Sequence, residues 1–336
     1  MVEKNGIGFV LHKQKDKDFV VLNLSGPQMH PREYKDGQPA LAILKKTVDT
    51  LIERCKPDLI TLSGDMWDFP DTMCFANIID SYGIPWAFVY GNEDVNVFNL
   101  EVLTECYQKF QHCIFDIGSV AGSYGNYVIC IEEEGKILSS LIMMDTHNVC
   151  AYDGIDVLCL AKWYPAQFTW YKQMVQALKD GGCKQSVLIQ HSPFYAYKLA
   201  SKTARKISNL SAQTTEIFLN DPTKSADECY WNDGYKGTCF GVELQEVDCP
   251  PEDDGVFDLI QKLDHTKNVL TGHNTLNNTS ILYEGVRLTC SLHTGKGRRY
   301  SIKRKDYNGA LNGGTTLTIG KDGQVTIKHE YVKIDE

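Results

Sequence analysis

Four short polar blocks, each following an apolar β-branched run, carry the residue types that hold divalent cations. They are Ser63-Gly64-Asp65, Tyr90-Gly91-Asn92-Glu93-Asp94, Gln190-His191-Ser192-Pro193 and Thr271-Gly272-His273-Asn274-Thr275. A fifth block, Leu24-Ser25-Gly26-Pro27-Gln28, follows the first such run. A carboxylate, an amide oxygen and two imidazoles make a mixed N/O donor set suited to Zn, Mn or Fe. Two such ions about 3.5–4 Å apart can generate a hydroxide near neutral pH and stabilise charge building on phosphoryl oxygens. Taken singly, Asp65 reads as a turn or helix-capping carboxylate, and His191 and His273 as polar residues ending buried strands. Five blocks in order are more specific than any one of them.

Loops can hold donors at fixed separations only where a rigid sheet sets their Cα positions. The pattern supplies one. Strands are expected at Phe19–Leu24, Leu59–Leu62 and Trp86–Tyr90, alternating with helices over 41–55, 73–82 and about 98–111. Tyr127–Ile131 and Leu138–Met144 read as paired strands across Glu132-Glu133-Glu134-Gly135. A helix over 165–178, a strand at Val187–Gln190, a helix over 256–263 and a strand at Asn268–Thr271 follow. The polar stretch 200–251 is expected to form irregular loops, and the tail from Ser280 short strands with Gly-rich turns. The expected fold is α/β: a four-layer α/β/β/α sandwich of two mixed sheets flanked by helices. It is one domain over 1–336, with its core about 19–300 and C-terminal strands about 301–336.

In order and spacing the five blocks resemble those of the calcineurin-like metallophosphoesterases, whose pattern reads D-x-H, G-D, G-N-H-D/E, H and G-H-x-H. Met144-Asp145-Thr146, Trp163-Tyr164-Pro165 with Gln167, and Asn277-Asn278-Thr279 add a likeness to the purple-acid-phosphatase-like subgroup. The resemblance implies that Asp65 bridges two metals and that Asn92, His191 and His273 complete the second-metal set. It also exposes departures. Gly26 stands where an Asp is expected, Gln28 where a His or Gln is expected, and Thr275 where the final His is expected. Glu93 replaces the histidine that contacts phosphate, and Asp94, which usually orients that histidine, has lost this partner. A Gly offers no side-chain ligand and a Thr hydroxyl is a poor one for a transition metal.

The resemblance therefore implies a homologue impaired or inactive as a two-metal phosphatase, holding at most one divalent ion (Mn, Fe or Zn). One alternative is an active mononuclear phosphoesterase with Glu93 as general acid. Another is a protein-interaction scaffold on the same fold.

The net charge of −9 gives no general basic face for a nucleic-acid backbone or an anionic membrane. A phosphorylated small molecule or protein remains the expected partner class. The compact basic cluster Lys296-Gly297-Arg298-Arg299 reads as a solvated loop or an anion holder. Twelve scattered cysteines without a CxxC read as reduced structural thiols in a cytoplasmic protein. The sequons at Asn209 and Asn278 would also suit a secreted chain with its signal peptide removed. His30, His147 and His293 lie near the expected mouth; Trp163, Trp170 and Tyr171 are candidates for a groove wall, with Trp170 at core spacing from Met174.

Overall fold

The computed structural model describes residues 2–27, 39–66, 71–97, 99–152, 155–158, 162–207, 239–241, 243, 245–295 and 312–332. Parallel strands Phe19–Leu24, Leu59–Leu62, Trp86–Phe88 and Cys113–Ile114 form most of a six-stranded sheet. The hairpin of Gly313–Ile319 and Val325–Tyr331 extends that sheet antiparallel to Phe19–Leu24. In the second, nine-stranded sheet, Lys136–Met144, Ser186–Gln190, Thr266–Thr271 and Val286–Cys290 form a parallel block. Tyr127–Glu133 runs antiparallel on one flank of the block and Ser280–Tyr283 on the other. Both sheets are thus mixed.

Strand side chains alternate faces with a period of two, and that alternation sorts the nine-stranded sheet into two cores. Ile129, Ile131, Leu141, Met143, Val187, Ile189 and Leu270 face the six-stranded sheet, within a core that also takes residues from helices Pro39–Cys55, Asp71–Ser81 and Leu100–Tyr107. Val128, Cys130, Ile142, Met144, Leu188 and Val269 face the other way, toward helices Pro165–Asp180, Ala196–Ile207 and Val256–Leu263. Fully burying each such side chain stabilises the fold by about 1.5–3 kcal/mol. The layer order is therefore helices, sheet, sheet, helices. Polar bonds also cross between the sheets: the Tyr127 hydroxyl donates to Phe88 O (2.7 Å) and accepts from Phe88 N–H (3.1 Å).

Several elements differ from expectation. The helix expected over 98–111 is shorter, Leu100–Tyr107: the Asn99 side chain caps its start by accepting from Glu101 N–H and Val102 N–H, and after Tyr107 the chain tightens into i→i−3 turns, with Lys109 N–H on Cys106 O and Phe110 N–H on Tyr107 O. A separate short helix, Asn92–Val97, precedes it. The stretch 200–251 is not all loop: the helix Ala196–Ile207 runs into it, and Cys239–Phe240 pairs with Ser280–Tyr283. Residues 208–238 and the basic cluster 296–299 lie outside the described residues. Trp163, Trp170 and Tyr171 pack in the core behind the nine-stranded sheet, and Trp170 with Met174 also lines a pocket beside residues 4–9 that contains none of Asp65, Asn92, His191 or His273. Asn278 is buried, which leaves no room for a glycan, and Asn209 is outside the described residues. Among the described residues no helix is long and apolar enough to cross a membrane.

Candidate metal centre

In sheets with parallel strands, sites form beyond the carboxyl ends, where loops emerge together. Here both sheets contribute. The six-stranded sheet delivers Asp65 after Leu59–Leu62 and Asn92 after Trp86–Phe88. The nine-stranded sheet delivers His191 after Ser186–Gln190 and His273 after Thr266–Thr271. The turns pack so closely that Gly64 and Gly91 leave no room for a side chain. A Cβ on Gly64 would lie 2.5 Å from His191 Nδ1, and one on Gly91 would lie 2.3 Å from Asp65 Oδ1. Asp65 (φ 56°) and His273 (φ 63°) both occupy the left-handed region, a cost of order 1–3 kcal/mol each that the surrounding bonds must hold.

Four donor atoms converge. His191 Nε2 lies 3.0 Å from Asn92 Oδ1 and 3.3 Å from Asp65 Oδ1. His273 Nδ1 lies 2.9 Å from Asn92 Oδ1 and 3.3 Å from His191 Nε2. One ligand atom from each of Asp65, His191 and His273 falls within a mutual 4.8 Å, a spacing that admits a metal ion.

Hydrogen bonds around the cluster fix which atoms carry protons. Ser63 O accepts from His191 Nδ1 at 2.7 Å, so Nδ1 carries the hydrogen. Burial lowers the His191 pKa against the opposing pull of Asp65, which favours the neutral ring with its lone pair on Nε2. Asn92 Nδ2 donates to Glu93 Oε1 (3.3 Å), which orients the amide with Oδ1 toward the imidazoles. The His191 lone pair therefore faces two acceptor oxygens.

On His273, Nε2 meets Asp248 Oδ2 at 3.2 Å. Burial pushes this imidazole down, but the Asp248 hydrogen bond and the charges of Asp65, Asp248 and Glu93 outweigh it and raise the pKa. The His273 bond in turn holds the Asp248 carboxyl below its ordinary range. Before any metal arrives, a proton on His273 Nδ1 can supply the positive charge that this acceptor-rich cluster requires. The residues fit a cation.

Asp94 is well partnered despite the missing histidine. Its Oδ2 accepts from Asp65 N–H (2.9 Å) and Gly91 N–H (2.8 Å), and its Oδ1 accepts from Met66 N–H (2.8 Å). Reaching back from the first turn of Asn92–Val97 to Gly91 N–H is half of a capping box. Asp94 thus ties the Asp65 turn to the Asn92 turn. Glu93 is half-buried at the cluster, and its N–H donates to Asp65 Oδ1 at 3.2 Å.

Two of the residues that the resemblance aligns with a first metal, Gly26 and Thr275, are among the described residues. Gly26 sits at φ 52° with its N–H on Gly64 O (3.2 Å), Thr275 is buried, and Gln28 and His30 lie outside the described residues. His293 is buried after Val286–Cys290 and bridges Ser25. His147 is also buried, stacked on Tyr164 with centroids 3.8 Å apart and paired with Asp145 at 3.2 Å. The Asp145 and Gln167 of the resemblance serve this network, with Gln167 Nε2 donating to Asp145 O (2.6 Å). Cys130 and Cys290 are free buried thiols whose pKa values burial pushes up to about 11 and about 12, unsuited to thiolate chemistry.

Asp248 was not singled out by the sequence, because it stands in no block and its approach to His273 is made only in the fold.

No family model matches the chain, and no curated protein matches it. Among solved structures it is similar to a 5'-nucleotidase precursor from Thermus thermophilus, at 11% identity and TM-score 0.46, covering 95% of this chain and 55% of that one. It is also similar to the NAD nucleotidase of Haemophilus influenzae, at 11% identity and TM-score 0.40, covering 95% and 54%. The chain thus spans about half the length of both.

Proposed function

We propose that this chain is a calcineurin-like phosphoesterase homologue that binds one divalent cation through Asp65, Asn92, His191 and His273 and is impaired as a two-metal phosphatase. The observation that carries the reading is the His191 Nε2 lone pair facing Asn92 Oδ1 and Asp65 Oδ1 at 3.0 and 3.3 Å. Acceptors brought together in a buried pocket repel one another unless a cation or proton lies between them. Two imidazoles, an amide oxygen and a carboxylate suit Zn, Mn or Fe. On the other side of Asp65, Gly26 provides no side-chain ligand and Thr275 only a hydroxyl.

A cation bound there would polarise an oxygen ligand. The chain's own residues then decide what comes next to it. Asp65, Glu93 and Asp248 place three carboxylates around His273. Three acidic groups exceed the charge of one divalent ion, which disfavours a phosphate dianion where the resemblance would have a histidine contact it. Metal analysis of purified protein should find about one Mn, Fe or Zn per chain, lost in His191→Ala, with no nitrophenol released from nitrophenyl phosphate. Two tightly held ions per chain, or none after saturation, would overturn the reading.

A second reading, a mononuclear phosphoesterase with Glu93 as general acid, draws on the Asn92 Nδ2 to Glu93 Oε1 bond that keeps the carboxyl at the cluster. Its mark would be metal-dependent turnover abolished by both His191→Ala and Glu93→Gln.

A further inference from the structure

Metal-binding imidazoles are set by what their second nitrogen meets, because that contact fixes both tautomer and ring orientation. For His191 the contact is the backbone carbonyl of Ser63, supplied by a strand end. For His273 it is a carboxylate from a distant segment, Asp248, 3.2 Å from Nε2. Nothing local forces Asp248 there, so the segment carrying it must be anchored.

Two side-chain amides from the turn after His273 provide that anchor. Asn274 Oδ1 accepts from Asp248 N–H (2.8 Å) while its Nδ2 donates to Asp248 O (3.4 Å). Three residues on, Asn277 repeats the pattern on Gln245: Oδ1 accepts from Gln245 N–H (3.2 Å) and Nδ2 donates to Gln245 O (3.0 Å). Each amide satisfies both polar groups of one residue, as an adjacent β-strand would. Asn274 and Asn277 are both buried, so the bonds they make are sheltered from competing water. The same turn that presents His273 therefore also grips the backbone beneath the carboxylate that orients it.

We propose that Asp248 is the positioning residue of the cation site, held by the Asn274 and Asn277 amides so that His273 carries its hydrogen on Nε2 and turns Nδ1 toward Asn92 and His191. This rests on the single-cation reading above. The Asp248 side chain is 53% exposed and its pairing with His273 is correspondingly weak as a source of fold stability. Its effect lies in orientation, for which removal of such a partner costs about 10–100-fold in metal affinity.

The test uses the full chain and Mn²⁺ alone, titrated by calorimetry, together with the ¹⁵N shifts of the His273 ring in the metal-free protein at alkaline pH. Asp248→Asn is expected to weaken Mn²⁺ binding about 10-fold at unchanged stoichiometry. It should also shift His273 from the Nε2–H tautomer toward a mixture. Asp248→Glu should recover part of the affinity, and Asn277→Ala, which frees the segment without touching the carboxylate, should reproduce part of the loss. Asp264→Asn, which removes an exposed carboxylate at the opposite end of the Thr266–Thr271 strand, should leave both readouts unchanged. Equal Mn²⁺ affinity and an unchanged tautomer in Asp248→Asn would overturn the proposal while leaving the cation site intact. Failure of the unaltered protein to bind Mn²⁺ would overturn the single-cation reading, and the tautomer measurement would still decide the orienting role of Asp248.

Discussion

Asp94→Asn separates two accounts of one residue. If Asp94 exists to orient a histidine that this chain lacks, losing its charge should cost almost nothing. The geometry instead gives it three backbone N–H donors, from Asp65, Met66 and Gly91, all at 2.8–2.9 Å. Hydrogen bonds to a buried charged acceptor contribute about 1.5–3 kcal/mol each. In Asp94→Asn, the amide oxygen can keep the two bonds now made by Oδ2, as weaker neutral ones, while its NH₂ would face the Met66 N–H. One bond is lost outright and two are roughly halved, for a net cost of about 3–6 kcal/mol. Asp94→Ala strands all three donors and should cost more, about 5–9 kcal/mol less whatever water entering the gap restores. Urea unfolding followed by far-UV circular dichroism reads this directly. With a slope near 3 kcal/mol/M, the Asp94→Asn midpoint should fall by roughly 1–2 M. A midpoint within about 0.2 M of the unaltered protein, at equal slope, would refute the clamp.

Three other outcomes are expected. Gly91→Ala places a methyl 2.3 Å from Asp65 Oδ1, so it should destabilise the fold by about 1–3 kcal/mol and weaken Mn²⁺ binding by calorimetry more than a surface Gly6→Ala does. Tyr127→Phe should cost about 1–3 kcal/mol in urea unfolding, because Phe88 N–H and O lose their shared hydroxyl. Burial depresses the His329 pKa to about 4, so between about pH 6.5 and 4 the unfolded chain takes up a proton that the folded one refuses. Stability should therefore fall as pH drops through that window, by up to roughly 3 kcal/mol from this group. His329→Gln should flatten that slope in unfolding measured against pH.

The strand ends were legible because each apolar run stops at Gly or Ser and then at a polar residue, a local pattern that survives without tertiary information. That is why Asp65, Asn92, His191 and His273 could be grouped before their separations were known. Residues 200–207 of the Ala196–Ile207 helix read as loop in sequence because its lysines and arginine mask an apolar face that only the nine-stranded sheet completes. The start of the Leu100–Tyr107 helix is hard to read from sequence because the Asn99 cap sits inside an otherwise helical pattern. Asp94 was read through a missing partner, whereas its partners are main-chain groups that sequence does not distinguish. Asp248 escaped for a related reason: 25 residues separate it from His273, and the amide grip that joins them belongs to no repeated spacing.

The division of the four donors between two sheets has a consequence for folding. Asp65 and Asn92 belong to one sheet, His191 and His273 to the other, so a bound ion would act as a rivet through the middle of the sandwich. An ion that binds only the assembled pocket adds RT ln(1 + [ion]/Kd) to the free energy of unfolding, about 2.7 kcal/mol at a hundredfold excess over Kd. Selection on folding alone would then suffice to preserve these four side chains.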